Sequence, residues 1–142
     1  MNFSERVKMT TNISQNPFVL LARITVKKGY VEDYLKIAAA ADVAVEKSEP
    51  GMLFHSFDAD PDDDHKFVWT EIYRSSNDFI AHADNPPVQE YVEKHGEIAN
   101  EFSIEVYGKI SDQCVEKIQS LGVPFKYFKA TSVGYFRPER FS

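Results

Sequence analysis

The apolar residues of this chain change their spacing abruptly at Gly29, and this change limits the folds that the chain can adopt. From Phe18 to Val26 every second residue is apolar, which predicts a strand with one well-buried face. From Tyr30 to Val45 the apolar residues recur at threes and fours, which predicts an amphipathic helix of about five turns. The Glu49-Pro50-Gly51 triplet ends this helix.

The pattern after this turn adds two strands, two helices and a last strand. Residues 52–59 and 65–73 predict strands, and the acidic turn between them makes the pair a hairpin. Polar residues at 75–78 are suitable N-caps for a short helix that holds Phe79, Ile80 and His82. Asn85-Pro86-Pro87 interrupts that helix. A second helix follows, with Ala99 and Phe102 on its apolar face, and residues 103–110 alternate as the fourth strand.

The resulting order, β-α-β-β-α-β, predicts an α+β fold of the ferredoxin-like type, with an antiparallel sheet and both helices on one face. Nothing in this core covers the other face, so we expect a second subunit there. Residues 1–17 form a polar leader and residues 18–110 form the domain. Residues 111–142 form an aromatic-rich extension of the same domain, which begins with a predicted helix over 112–121.

Charge and composition exclude several classes of protein. The net charge of −6 argues against nucleic-acid binding, which requires a basic surface. The longest apolar run, Phe18 to Ala22, is too short to span a membrane, and the polar leader has no apolar signal-peptide segment. The single cysteine, Cys114, cannot form an internal disulfide, so a reducing cytoplasm is the expected compartment.

An ordered set of short motifs resembles the antibiotic biosynthesis monooxygenase (ABM) superfamily, which has the dimeric α+β barrel fold. The motifs lie between Val19 and Ile110 and are Ala22-Arg23-Ile24, Lys28-Gly29, Glu49-Pro50-Gly51, Glu71-Ile72-Tyr73, Ala81-His82 and Asn85-Pro86. The resemblance implies a homodimer whose sheets pack face to face, with a pocket between sheet and helices in each subunit. Its members include cofactor-independent oxygenases of polycyclic phenols and quinols, haem-degrading enzymes and an isomerase of a quorum-sensing signal.

The haem-degrading branch is excluded by position. That branch has an Asn on the first strand, a Trp in the short helix and a His in the next helix. The corresponding positions here hold Ala22, His82 and Val92.

His82 and Glu71 are the predicted catalytic residues. His82 shares a helix face with Phe79 and would act as a base that titrates near neutral pH; the alternative is a structural histidine beside the Asn85-Pro86 break. Glu71 shares a strand face with aromatic residues, where it could orient His82 or donate a hydrogen bond to substrate. The alternative for Glu71 is a salt bridge to Arg23 on the neighbouring strand.

Five further residues are predicted to bind substrate: Trp69, Tyr73, Phe79, Tyr91 and His95. The aromatic rings among them could stack on a flat ligand, although filling of the core explains them equally well. His95 lies on the apolar face of its helix and is also explained as a satisfied core histidine. The acidic run from Asp60 to His65 lacks calcium-loop spacing. No metal or cofactor motif is found, so none is predicted.

The sequence therefore predicts a homodimeric, cofactor-independent monooxygenase that acts on a small aromatic or quinol-like substrate. Two other functions stay open. One is a non-oxidative isomerase that uses the same acid and histidine to move a proton, and the other is a ligand-binding dimer without catalytic activity. Neither nucleic acid nor a membrane is an expected partner.

Overall fold

A computed structural model describes residues 15–141 of the chain. Their strands and helices follow in the order β1 (Phe18–Val26), α1 (Val31–Ser48), β2 (Met52–Ala59), β3 (Lys66–Tyr73), α2 (Ser76–Asp84), α3 (Pro86–Ile98), β4 (Ala99–Gly108), α4 (Asp112–Ser120) and β5 (Phe125–Lys129), before a short 3-10 turn (Pro138–Arg140). Residues 1–14 of the predicted leader lie outside the described residues. No helix within 15–141 is long and apolar enough to cross a membrane.

The strands form one sheet in the order β2-β3-β1-β4-β5. The first four strands pair antiparallel, with Ala22 of β1 opposite Trp69 of β3 and Ile104 of β4. This confirms the predicted α+β, ferredoxin-like arrangement. The sheet is mixed, however, because β5 pairs parallel with β4 after the α4 crossover.

The core lies between the sheet and the helices. Alternate residues of β1, from Phe18 to Val26, are buried, and so are alternate residues of β3 from Phe67 to Tyr73. The helix α1 packs against α3, and α2 packs against α4. Two large aromatic residues, Tyr34 and Tyr73, have no exposed area. The sheet face on which the helices pack is called the inward face below, and its opposite is called the outward face.

The predicted extent of the second helix is wrong at its end. The sequence pattern places Ala99 and Phe102 on the helix, but α3 ends at Ile98 and both residues belong to β4. The reason is tertiary pairing: Ala99 lies opposite Val26 and Phe102 opposite Ile24 in the ladder with β1. Strand pairing over several residues outweighs the local helical spacing.

The C-terminal extension is part of the same core. Helix α4 buries Cys114 and Ile118 completely. The backbone N–H of Ile110 donates to the hydroxyl of Tyr127 at 2.9 Å, which ties β5 to the end of β4. Residues 130–141 then lie along one end of the outward face, where they share a cavity of about 350 Å³ with β1, β3 and β4.

Candidate active site

A cavity of about 80 Å³ opens between the inward face and the helices. Most of its wall is apolar, from Leu20, Ala22, Val45, Val88, Phe102 and Ile104. Of the residues predicted from sequence, it brings together Glu71, His82, Trp69, Phe79 and Tyr91. Tyr73 and His95 are buried behind the wall and do not line it.

The mouth of the cavity lies at Val92 of α3 and Leu121 at the end of α4, since both line it and are 47% and 41% exposed. A cavity that holds a single benzene ring measures about 150 Å³. A ligand of that size therefore has to extend into the mouth or displace these two side chains. Leu121 belongs to the C-terminal extension, so the extension contributes directly to the entrance.

His82 is held at the cavity by a carboxylate that sequence reasoning missed. Its Nδ1 atom lies 2.8 Å from Oε1 of Glu49, whose Oε2 accepts a hydrogen bond from Nδ2 of Asn85 at 2.8 Å. Glu49 is 8% exposed and caps the end of α1. The sequence could have indicated that Glu49 is buried, because it follows Val45 by four residues on the buried stripe of this helix.

Helix α2 is anchored at its start, which fixes where His82 points. Ser75 is its N-cap and accepts a hydrogen bond from the backbone N–H of Asp78 at 3.3 Å. The Asp78 carboxylate in turn accepts from the hydroxyl of Ser75 at 2.6 Å and from the guanidinium of Arg74 at 3.1 Å. Such caps stabilise a short helix that would be marginal alone.

Glu71 is an almost completely buried carboxylate, with 5% of its surface exposed. The hydroxyl of Tyr73 donates to its Oε1 at 2.7 Å, and Nε2 of His55 lies 3.5 Å from its Oε2. Burial raises the pKa of Glu71, but the histidines His55 and His82 together with Tyr73 outweigh it, so the net pKa is lowered. Glu71 is therefore an ionised, hydrogen-bonded group at the cavity wall.

The alternative prediction for Glu71, a salt bridge to Arg23, is wrong. Arg23 points from the outward face of β1 and forms a salt bridge with Glu105 of β4. Leu20 rather than Arg23 lies opposite Glu71 in the ladder. The two side chains are thus separated by the sheet.

His55 is a second histidine of this site and was not predicted. It lies opposite Glu71 on β2, and its ring stacks on Trp69 with centroids 4.3 Å apart. Its Nδ1 atom is 2.8 Å from Oδ1 of Asp42 on α1. Burial lowers the pKa of His55, but Glu71 and Asp42 outweigh it, so the net pKa is raised. The alternation of His55 with Phe57 could have placed it on the inward face.

The site therefore contains two histidines near one carboxylate, Glu71. The ring centroids of His55 and His82 are 6.5 Å apart. Each ring has its own acid on Nδ1, Asp42 in one case and Glu49 in the other. Among the described residues no hydrogen bond engages Nε2 of His82, so this nitrogen can take a proton from a molecule in the cavity.

Behind the cavity runs a buried chain of polar side chains. Nε1 of Trp69 donates to the hydroxyl of Tyr91 at 2.8 Å, Tyr91 contacts the hydroxyl of Tyr34, and Tyr34 lies 2.7 Å from Nδ1 of His95. Burial raises the pKa of Tyr91 to about 12 and lowers the pKa of His95. His95 is thus the end of a hydrogen-bonded chain and does not face the cavity.

Other chemistries find little support in the described part of the chain. No group of three or more His, Cys, Asp or Glu residues within 15–141 is arranged to hold a metal ion. Cys114 is fully buried, and burial raises the pKa of its thiol to about 12, so it is not a reactive nucleophile.

Comparisons with known proteins agree with this architecture. The family model for antibiotic biosynthesis monooxygenases matches residues 17–94. An uncharacterised protein of Synechocystis sp. strain PCC 6803 is 27% identical over 95 residues, which cover 66% of this chain and 64% of that protein. This chain thus spans less than two thirds of the length of that relative.

Solved structures show the same fold. A candidate antibiotic biosynthesis monooxygenase from Caulobacter crescentus CB15 superposes with a TM-score of 0.63 at 17% identity, covering 70% of this chain and 94% of that one. A protein from Shewanella oneidensis superposes with a TM-score of 0.61 at 21% identity, covering 68% and 93%. At these identities the likeness concerns the fold alone.

Proposed function

Because this chain belongs to the antibiotic biosynthesis monooxygenase family, whose model matches residues 17–94, we propose that it is a cofactor-independent monooxygenase. Its substrate is a small aromatic or quinol-like molecule bound in the cavity between sheet and helices. One observation carries the proposal: His82 is oriented by Glu49 and lines a largely apolar cavity next to an ionised Glu71.

His82 is the general base of the proposed reaction. With Nδ1 bound to Glu49, its Nε2 atom takes the proton from a substrate carbon or hydroxyl, and the carboxylate of Glu49 stabilises the imidazolium that forms. Sequence analysis offered Glu71 as the residue that orients His82, and we propose that Glu49 has this role instead. Glu71 instead accepts a hydrogen bond from a substrate hydroxyl, since its oxygens keep lone pairs beyond those used by Tyr73 and His55.

The reaction balances with molecular oxygen as the only co-reactant. His82 removes a proton from a ring methylene, and the resulting carbanion passes one electron to oxygen. The carbon radical and superoxide combine to a peroxide anion, which takes the first proton back from His82 and becomes a hydroperoxide. His82 then removes the second methylene proton as hydroxide leaves, which gives the carbonyl, and it returns this proton to the hydroxide. One oxygen atom ends in the product and the other leaves as water. The substrate anion is itself the reductant.

Oxygen uptake tests this function. Anthrone is a suitable probe because its methylene is flanked by aromatic rings, and the measurement is oxygen consumption with formation of anthraquinone. We expect His82→Gln to lower the rate by at least about 100-fold. The matched control is His65→Gln in the exposed β2–β3 turn, which should keep full activity. Equal rates for His82→Gln and the wild-type protein would exclude His82 as the base.

An isomerase is the second candidate, and the second histidine favours it. The rings of His55 and His82 are 6.5 Å apart and both line the cavity, so one could remove a proton and the other could return it to another atom of the same substrate. Such a reaction consumes no oxygen. Product formation at an unchanged rate under argon, together with loss of activity in His82→Gln, would identify this function.

We also propose that a second copy of the chain covers the outward face. Three aromatic residues of this face, Phe54, Tyr107 and Phe128, are 48%, 36% and 41% exposed. Tyr107 and Phe128 stack with centroids 4.7 Å apart, and such exposed aromatic clusters mark interaction surfaces. Analytical ultracentrifugation should show a dimer that Phe54→Glu weakens. Val43→Glu, at an exposed site of α1, is the control.

A further inference from the structure

The cavity at the end of the outward face is separate from the candidate active site. It lies between the sheet and residues 130–141, and no residue lines both cavities. Its floor is formed by three residues that lie side by side in the strand ladders, Val19, Ile72 and Tyr107. The covering segment is fixed at its start, because the backbone N–H of Ala130 donates to the carbonyl of Gly108 at 2.8 Å.

The size and walls of this cavity suit a flat ligand with two fused rings. Its volume of about 350 Å³ is more than twice the roughly 150 Å³ of a cavity that holds benzene. The covering segment contributes three aromatic side chains to the walls, Tyr135, Phe136 and Phe141. The rings of Phe136 and Phe141 meet edge to face with centroids 6.4 Å apart. Such rings bind a flat aromatic molecule by stacking and by edge contacts.

Asn16 adds a hydrogen-bond acceptor without a donor to this wall. The residue lines the cavity just before β1 and is only 4% exposed. Its Oδ1 atom is buried and has no hydrogen-bond partner within the described part of the chain. Buried polar atoms are nearly always paired, because an unpaired one destabilises the protein. An N–H or O–H group of a ligand in the cavity would supply the missing donor.

Lys109 adds a positive charge to the same cavity. It follows β4 directly, is partly buried, and takes part in no salt bridge among residues 15–141. The chain as a whole has a net charge of −6, yet residues 126–142 contain four basic residues and one acidic residue. An ammonium group at an apolar wall attracts an anion more strongly than it would in water. A carboxylate is therefore favoured beside Lys109.

We propose that the cavity under residues 130–141 is a second ligand site, which binds a flat aromatic carboxylate that carries an N–H or O–H group. Lys109 binds the carboxylate, Asn16 accepts a hydrogen bond from the donor, and the aromatic side chains hold the ring. This inference goes beyond the proposed function and does not depend on it. The cavity at His82 suits such a ligand poorly, because the ionised Glu71 in its wall repels a carboxylate.

Calorimetric titration with two matched acids tests the site. Indole-3-acetate has a carboxylate, two fused rings and an N–H group, and naphthalene-1-acetate lacks only the N–H group. We expect the wild-type protein to bind indole-3-acetate about 2- to 10-fold more tightly. Asn16→Leu should remove this preference, and Lys109→Gln should weaken the binding of both acids about 10-fold. Lys66→Gln, at the exposed start of β3 and the opposite end of the sheet, is the control and should bind like the wild-type protein.

A further variant locates the ligand. His82→Gln changes only the cavity on the inward face, so it should bind indole-3-acetate like the wild-type protein even if it has lost oxygenase activity. Loss of binding in this variant would place the ligand in the other cavity and overturn the proposal, as would unchanged binding in Lys109→Gln or equal affinity of the wild-type protein for the two acids. If the wild-type protein binds neither acid, the site is excluded, and a weaker dimer in Asn16→Leu would then show that a second copy fills the cavity.

Discussion

The imidazole of His82 on α2 and the carboxylate of Glu49 at the end of α1 meet through a 2.8 Å contact between Nδ1 and Oε1. Both side chains are nearly buried, with 12% and 7% of their surfaces exposed. The same carboxylate binds Asn85, the residue that separates α2 from α3. One acid thus joins the ends of three helices and also sets the direction in which the histidine faces the cavity.

We predict that Glu49→Gln lowers the oxygenase rate without a matching change in KM. Glu49 does not line the cavity, and its charge acts only on the imidazolium formed when His82 takes a proton. A hydrogen bond to a charged group is worth about 1.5–3 kcal/mol, so kcat should fall about 10- to 150-fold. Steady-state oxygen uptake measures both constants.

The matched control for this variant is Glu46→Gln, which removes a carboxylate from the exposed side of the same helix. Its kcat should equal that of the wild-type protein. A Glu49→Gln enzyme with normal kcat and raised KM would show that Glu49 serves binding and has no role in the proton step.

We predict that Glu71 stabilises the protein most strongly between about pH 4.5 and 6.5. The pKa of Glu71 is lowered from 4.5 in the folded state, so its contribution is present above 4.5 and is lost as the pH falls through the folded value. The pKa of His55 is raised from 6.5, so its contribution is present below 6.5 and is lost as the pH rises through the folded value. Both groups are charged and paired between these limits.

Urea unfolding at several pH values, compared between Glu71→Gln and the wild-type protein, measures this window. Within it we expect a loss of about 3 kcal/mol, as for one partner removed from a buried ion pair. Glu105→Gln is the control, because it removes a carboxylate from the outward face whose pair with Arg23 is half-exposed, and exposed pairs contribute less than about 1 kcal/mol. If the loss of stability in Glu71→Gln were the same at every pH, the charges of Glu71 and His55 would not be its cause.

The sequence predicted the strands and helices well because their apolar spacing is regular. It placed Glu71 and His82 on the cavity for the same reason, since both lie on faces marked by buried aromatic residues. It missed the partners. Glu49 stands in a triplet whose proline and glycine suggest only a turn, and no local pattern shows that this turn reaches α2.

His55 and β5 were missed for related reasons. The ring of His55 becomes a site residue only through the strand pairing that sets it opposite Glu71. The aromatic stretch from Phe125 becomes a strand only because the α4 crossover carries it back beside β4. Contacts between distant segments decide both cases: the alternation within β2 indicates which face His55 occupies, but it does not show which strand lies beside it.

We predict opposite effects for alanine at two glycines. A Cβ atom at Gly51 would lie 2.0 Å from Oδ1 of Asp78, and Asp78 cannot move freely because Ser75 and Arg74 hold it at the start of α2. Gly51→Ala should therefore lower the free energy of unfolding by about 1–3 kcal/mol. Gly96 lies exposed within α3 with open space around it, so Gly96→Ala should raise that free energy by up to about 1 kcal/mol.

Urea unfolding measures both glycine variants on the same scale. The Gly51→Ala variant should also lose oxygenase activity, because a displaced Asp78 loses its hydrogen bonds with Ser75, the N-cap of the helix that carries His82. An active, fully stable Gly51→Ala protein would show that α2 tolerates a shift at its start.

Our last prediction concerns the C-terminal extension, which falls into two parts with different roles. A chain that ends at Lys129 keeps α4 and β5 and loses only the segment along the outward face. It should unfold cooperatively and show the circular dichroism of the full protein. A chain that ends at Ser111 loses Cys114 and Ile118, which are fully buried, together with the edge strand, and it should not fold stably.

The thiol of Cys114 reports on the first of these chains directly. Because burial raises its pKa to about 12, it should react with a disulfide reagent far more slowly in the folded protein than in urea. The same slow reaction is expected for the chain that ends at Lys129, since α4 keeps the thiol packed in the core in both. Fast labelling of that chain would mean that residues 130–142 hold α4 in place, and cooperative folding of the chain that ends at Ser111 would mean that α4 is dispensable.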